Sequence, residues 1–226
     1  MDNPTEEPQI IARDTGLPVA RELSEMMLTQ IDLNNSLKSL AMWVELHQNT
    51  KDEDEGRAAM RNSLFRDGIT QFVGCFDGGT NPFPLVVETV FPNIHGIAPY
   101  FRWLRQIRNA YTAHRYGAAR QCIFGAIVKP ETGEFLGITY IVAIYQGPSE
   151  EGHLHLLSLV TIALDYVNRR ISDLTVQFIV EAKALGPDVL LSLPYAQLRT
   201  LEPTEMNLSR GDVNAAMERA RGDGSA

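Results

Sequence analysis

From Val19 to about Gln48, apolar residues recur at helical spacing: Leu23, Met26, Met27, Ile31, Leu37, Leu40, Ala41 and Val44. That period predicts an amphipathic helix. A charged break follows, Asn49 to Gly56. Its acids, Asp52, Glu53, Asp54 and Glu55, stand just before a second periodic run, Ala58 to Phe76. Acids there favour a helix N-terminus through the macrodipole. Asp77-Gly78-Gly79-Thr80-Asn81-Pro82 is loop-forming. Val86 to Phe91 reads as a short helix or as an extended piece. A third helix is predicted from Ile97 to about Arg115, with Pro99 tolerated in its first turn.

After that helix the pattern changes. Cys122 to Val128 and Phe135 to Tyr145 are rich in Ile, Val, Phe and Tyr, and Lys129-Pro130-Glu131-Thr132-Gly133-Glu134 between them forms turns. The reading is a β-hairpin, with a buried helix as the competing assignment. Gly147-Pro148 breaks the chain. His153 to Leu185 is long and strongly apolar, and it ends at Gly186-Pro187, a good helix stop. A short helix is predicted from Asp212 to Ala220. The fold class expected is mainly α: an antiparallel helical bundle with a β-hairpin inserted around 122–145. Residues 1–18 are expected to form a loose N-terminal arm, 19–186 the helical domain, and 187–226 a partly disordered C-terminal extension.

Composition adds little. The 226 residues suit one large domain or one domain with decoration, and 44% hydrophobic with 21% charged is ordinary for a globular chain. Cys75 and Cys122 sit far apart in apolar surroundings, which argues against a disulfide framework and against zinc. His153 and His155, two apart on a helix, diverge and make a poor metal pair; His47 and His95 lack partners in sequence. No cofactor and no metal are expected. The polar, acidic start is no secretory signal, and the apolar stretches are too short for a bilayer, so a cytoplasmic protein without membrane contact is expected.

The placement of charge matters more. No acid lies between Glu88 and Glu131, an interval holding Arg102, Arg105, Arg108, Arg115, Arg120 and Lys129. That interval carries +6 while the chain carries -8, so the remainder carries -14. Phosphate contacts require a local basic zone of this kind. The plainer reading is a solvated helix face. Tyr100, Phe101, Trp103 and Tyr111 nearby either stack bases or, at helical spacing, belong to the core.

Within the interval runs Ile107-Arg108-Asn109-Ala110-Tyr111-Thr112-Ala113-His114-Arg115-Tyr116. This segment resembles the HEPN superfamily, whose hallmark is an arginine followed, after four to six residues, by a histidine, often with a polar residue directly after the arginine. Here five residues intervene and Asn109 fills the polar place. Ala113 before the histidine is similar to abortive-infection and toxin-like members. Upstream, Arg61 to Ile69 and Phe76-Asp77-Gly78-Gly79 resemble the second helix and following loop of large HEPN-like proteins. The resemblance spans about Arg21 to Leu185. It implies an all-helical bundle, a homodimer in which two motifs meet, and metal-independent RNA cleavage.

The side chains suit that chemistry. RNA is cut when its own 2′-hydroxyl attacks the adjacent phosphate, which needs a proton acceptor, a donor and a cation. Histidine, with a reference pKa of ~6.5, exchanges protons near neutrality. Arginine stays charged and holds two phosphate oxygens. His114 is therefore the candidate acid/base, Arg108 the transition-state stabiliser and Asn109 the orienting group, with Arg102, Arg105, Arg115 and Arg120 as RNA contacts. At ~100° per residue, Arg108 and His114 stand about 120° apart on one helix, so a long side chain or a partner subunit must close the site. A satisfied, partly buried histidine is the structural alternative.

Tyr116 completes an Arg-x5-His-x-Tyr string. A string with one fewer intervening residue occurs in HEPN toxins whose tyrosine is modified by a partner nucleotidyltransferase. The resemblance thus suggests a toxin or antiviral effector with an antitoxin or nucleotidyltransferase partner; simple aromatic packing at a helix end is the other reading of Tyr116. Two rival functions stand beside the ribonuclease: a non-catalytic HEPN module that binds RNA or nucleotides, and a helical protein-interaction scaffold. If Arg102, Arg105 and Arg108 pair with the protein's own acids, the scaffold is favoured.

Overall fold

A computed structural model describes residues 11–48, 55–78, 81–112, 120–144, 150–196 and 212. The elements run α1 (Pro18–Gln48), α2 (Glu55–Gly74), α3 (Val87–Val90), α4 (Ile97–Thr112), β1 (Arg120–Val128), β2 (Phe135–Ile144), α5 (Glu150–Ala184) and α6 (Pro187–Ser192). Among the described residues the architecture is mainly helical with a two-stranded antiparallel sheet, as the periodicity predicts. No helix among the described residues is long and apolar enough to cross a membrane. The predicted helix at 212–220 falls outside the described residues, apart from Asp212.

The chain divides into two compact units. One comprises Met1–Leu28, Gly78–Phe83 and Val167–Ala226; the other comprises Thr29–Asp77 and Pro84–Tyr166.

In the first unit, Val19, Met26, Val167 and Leu174 are buried. Arg170 Nη2 donates to Glu22 Oε1 at 2.5 Å. Part of the arm expected to be loose is fastened here. Arg13 donates through Nη1 to the Leu193 carbonyl at 2.7 Å, and its guanidinium carbon lies 4.1 Å from the Tyr195 ring centre. Backbone bonds Asp14 N–H to Pro194 O and Ala196 N–H to Ala12 O flank it. Such pairing orders a segment whose composition alone reads as coil. Helix α6 is also new. Gly186, at φ 80°, ends α5, and Pro187 then opens α6 at its first position. Proline's fixed φ suits the first turn of a helix, so the same dipeptide stops one helix and starts another.

In the second unit, α1 and α2 approach closely at Gly68. A Cβ there would stand 2.5 Å from Leu40 Cγ. Ser36 Oγ, fully buried, donates to the Gly68 carbonyl at 2.8 Å across the same contact. Trp43 packs on Phe65 with ring centres 4.7 Å apart. Further along, Phe72 of α2 and Phe76 in the turn after it meet Phe91, just after α3, and Phe101 of α4; centroid distances run from 4.6 Å for Phe76–Phe101 to 5.9 Å for Phe76–Phe91. Each buried ring is worth roughly 1.5–3 kcal/mol of transfer free energy. This cluster therefore fixes the end of α2 against α4.

The hairpin register pairs Phe124 with Tyr140 at its middle and Val128 with Phe135 at its turn. A shift between Ile127 and Val128 leaves Leu136 as the extra, bulged residue. The turn closes by Gly133 N–H to Lys129 O at 2.8 Å and Lys129 N–H to Glu134 O at 2.9 Å. Gly133 takes φ 70°, a conformation that glycine adopts without a Cβ penalty.

Candidate functional site

Helix α4 places its charged residues relative to a fixed point. Phe101 is held in the aromatic cluster, and Leu104 and Ile107 are buried. Arg105 and Arg108 follow Phe101 at four and seven residues, so they share its face. Phe101 contacts Phe76, and Asp77 is the next residue after Phe76. The cluster thus brings Asp77 opposite both arginines.

Asp77 Oδ1 accepts from Arg105 Nε at 3.1 Å. Its other oxygen accepts from Arg108 Nη1 in a close ion pair. Arg105 also donates through Nη2 to the Phe76 carbonyl at 3.1 Å. Arg108 turns its other edge to Asn109, whose Oδ1 accepts from Nε at 3.2 Å and from Nη2 at 2.9 Å. The Phe76 carbonyl belongs to the turn that ends α2, where cations are favoured. One carboxylate thus faces two guanidiniums at this corner. Side-chain exposure is 22% for Arg108 and 30% for Asp77, so the pair is partly shielded from water.

Of the residues singled out by sequence, the structure gathers Arg105, Arg108 and Asn109. Arg102 is exposed on the same helix, outside that group. Arg120 opens β1 opposite Ile144; its side chain is outside the described set. His114, Arg115 and Tyr116 lie outside the described residues. Phe101 is buried in the core and is therefore no stacking platform for bases. Tyr100 and Trp103 are half-buried and pack on each other, with ring centres 5.3 Å apart. Tyr100 also meets the edge of His155 at 5.1 Å.

Comparison with known proteins finds no matching family model, no similar curated protein and no similar solved structure. The site has to be read from its own chemistry.

Asp77 is the participant that sequence reading missed. It lies 28 residues from Arg105 and 31 from Arg108 along the chain, outside the acid-free interval. Its signal was its position, an acid directly after the last apolar residue of a predicted helix. The electrostatic test set by the sequence has a divided outcome. Two of the three arginines share one acid of the protein itself, and the third is exposed. Chemically, the corner offers guanidinium N–H donors and an amide in a fixed arrangement. That arrangement suits a phosphate oxygen that shares or displaces the Asp77 carboxylate.

Proposed function

We propose that this protein is a metal-independent endoribonuclease of HEPN type, acting beside the C-terminal end of α4. The observation that carries the reading is the fixed orientation of Arg108. Asp77 and Asn109 hold its guanidinium at the end of the helix, six residues before His114. A cation preorganised in this way stabilises developing charge without reorganising during the reaction. Asn109 then acts by positioning Arg108 as well as the phosphate.

In the proposed reaction, His114 accepts the 2′-hydroxyl proton as that oxygen attacks the adjacent phosphorus. Arg108 neutralises the extra charge on the phosphorane oxygens. The bond to the 5′-oxygen breaks, and a proton is delivered to it, by the second subunit's histidine if two motifs meet as the resemblance implies. The products are a 2′,3′-cyclic phosphate and a 5′-hydroxyl. Arg102, Arg105, Arg115 and Arg120 contact the flanking phosphates. A helical HEPN bundle, a toxin or antiviral role and an antitoxin or nucleotidyltransferase partner acting on Tyr116 belong to the same reading.

A second reading has its own support. Asp77 discharges much of the Arg105–Arg108 pair, and a discharged corner fits a protein-interaction scaffold. RNA cleavage in EDTA separates the two, with wild type beside His114→Ala and Arg108→Ala. Cleavage by wild type that both variants lose, with circular dichroism unchanged, supports the nuclease. Equal activity in all three sinks the assignment of this site. Salt-sensitive binding without cleavage points to the non-catalytic module, and neither binding nor cleavage leaves the scaffold.

A further inference from the structure

Strands β1 and β2 form a ribbon that is apolar on both faces. No residue from Gln121 to Val128, or from Phe135 to Ile144, carries a charge. The period of two places Phe124, Val128, Phe135, Ile138 and Tyr140 together on one face. These five side chains are 48–74% exposed. The opposite face carries Ile123, Ile127 and Ile141, also exposed, around Gly125 and Gly137. Strands buried on both sides have this composition, and a lone two-stranded hairpin is marginal in water. The aromatic face exposes roughly 600 Å² of apolar side chain, a patch of the size that marks a contact surface.

We infer that this ribbon is an interface with a second copy of the chain. Two ribbons pack aromatic face to aromatic face about a two-fold axis through the Phe124–Tyr140 rung. Three observations favour this occupant. The first is area. Two such faces together remove roughly 1,200 Å² from water, the lower end of the range for specific interfaces. The second is symmetry. Phe124–Tyr140 is the middle rung of the ladder, its rings 5.7 Å apart. A two-fold axis at the centre gives each copy the same apolar surface to cover and maximal overlap. The third is charge. The one charged position of the ladder is Arg120, at its far rung, so the body of the face offers little to select a charged partner. The tip carries Lys129, Glu131 and Glu134, which insertion into lipid would drag into hydrocarbon.

The interface does not depend on the ribonuclease reading, and it differs from the motif-to-motif contact that reading implies. Sedimentation velocity of the full chain from about 0.2 to about 50 µM tests it. Wild type is expected to show an association step that Phe124→Glu lacks, with the same helical ellipticity; a motif-to-motif dimer, as the ribonuclease reading implies, persists in Phe124→Glu. Cys122 supplies a check that needs no variant. It is exposed on the aromatic face, whereas Cys75 is buried. Its alkylation by N-ethylmaleimide should slow about tenfold between the dilute and concentrated ends of the range. A wild-type chain that stays monomeric, a Phe124→Glu variant that associates just as wild type does, or Cys122 reacting equally fast throughout would each overturn the interface. So would a monomer that floats with phosphatidylcholine–phosphatidylglycerol vesicles, which assigns the ribbon to lipid.

Discussion

Asp77 Oδ1 and Arg105 Nε lie 3.1 Å apart, joining the turn after α2 to the middle of α4. The same carboxylate holds Arg108. One acid therefore ties both guanidiniums of this corner to the turn after α2.

Replacing Asp77 with Asn keeps an acceptor and removes the charge. The pair is partly exposed, so the stability loss should be about 1 kcal/mol, read from urea unfolding. Under the ribonuclease proposal, RNA affinity should rise several-fold, because both guanidiniums lose a carboxylate that competes with phosphate. Fluorescence anisotropy with a labelled single-stranded RNA checks this. A fall in affinity would mean that Asp77 chiefly orients the arginines.

Under the ribonuclease proposal, His114→Ala should lower the single-turnover cleavage rate by about 10²–10⁴-fold. Affinity for RNA should change by less than about twofold, since the arginines carry the phosphate contacts. Arg105→Ala should do the reverse, weakening affinity and flattening its salt dependence by about one counterion. Rapid-quench kinetics and salt titrations separate the two effects.

Gly68→Ala should destabilise the chain by about 1–3 kcal/mol, although alanine is the better helix former. The added methyl meets Leu40 Cγ at 2.5 Å, inside any permitted contact. Leu40→Ala alone leaves a cavity costing about 2–5 kcal/mol. The double variant should cost less than the sum of the singles, because each change relieves the other. Additive losses in urea unfolding would show that the two helices separate rather than clash.

Phe101→Ala removes the ring that touches Phe72, Phe76 and Phe91. The expected cost is about 3–5 kcal/mol, with loss of near-ultraviolet circular dichroism. A loss below about 1 kcal/mol would mean that the neighbouring rings close the gap unaided.

The helices were legible because their apolar residues keep a 3.6-residue period, and the hairpin because Lys129 to Glu134 breaks two runs of β-formers. Helix α6 was not, since Pro187 was read only as a stop. The arm at 11–17 looked loose because its partners lie near residue 195, beyond any local window. At the candidate site, Arg105, Arg108 and Asn109 were named from a single helix. Their counter-ion was invisible for the same reason as the arm's partners: counting charge along a segment cannot see a carboxylate brought from a distant turn. Phe101 was grouped with Tyr100 and Trp103 as a possible base platform. Its spacing from Ile97 and Leu104 assigns it to the buried stripe instead.

The aromatic cluster also bears on how quickly the molecule assembles. Phe72, Phe76, Phe91 and Phe101 come from a short stretch of chain, so their contacts close small loops at low entropic cost. Nuclei built from such neighbours form early, and substitutions in them slow folding more than they speed unfolding. Asp77 lies within this stretch and Arg105 four residues past it, so their ion pair closes a loop of similar length.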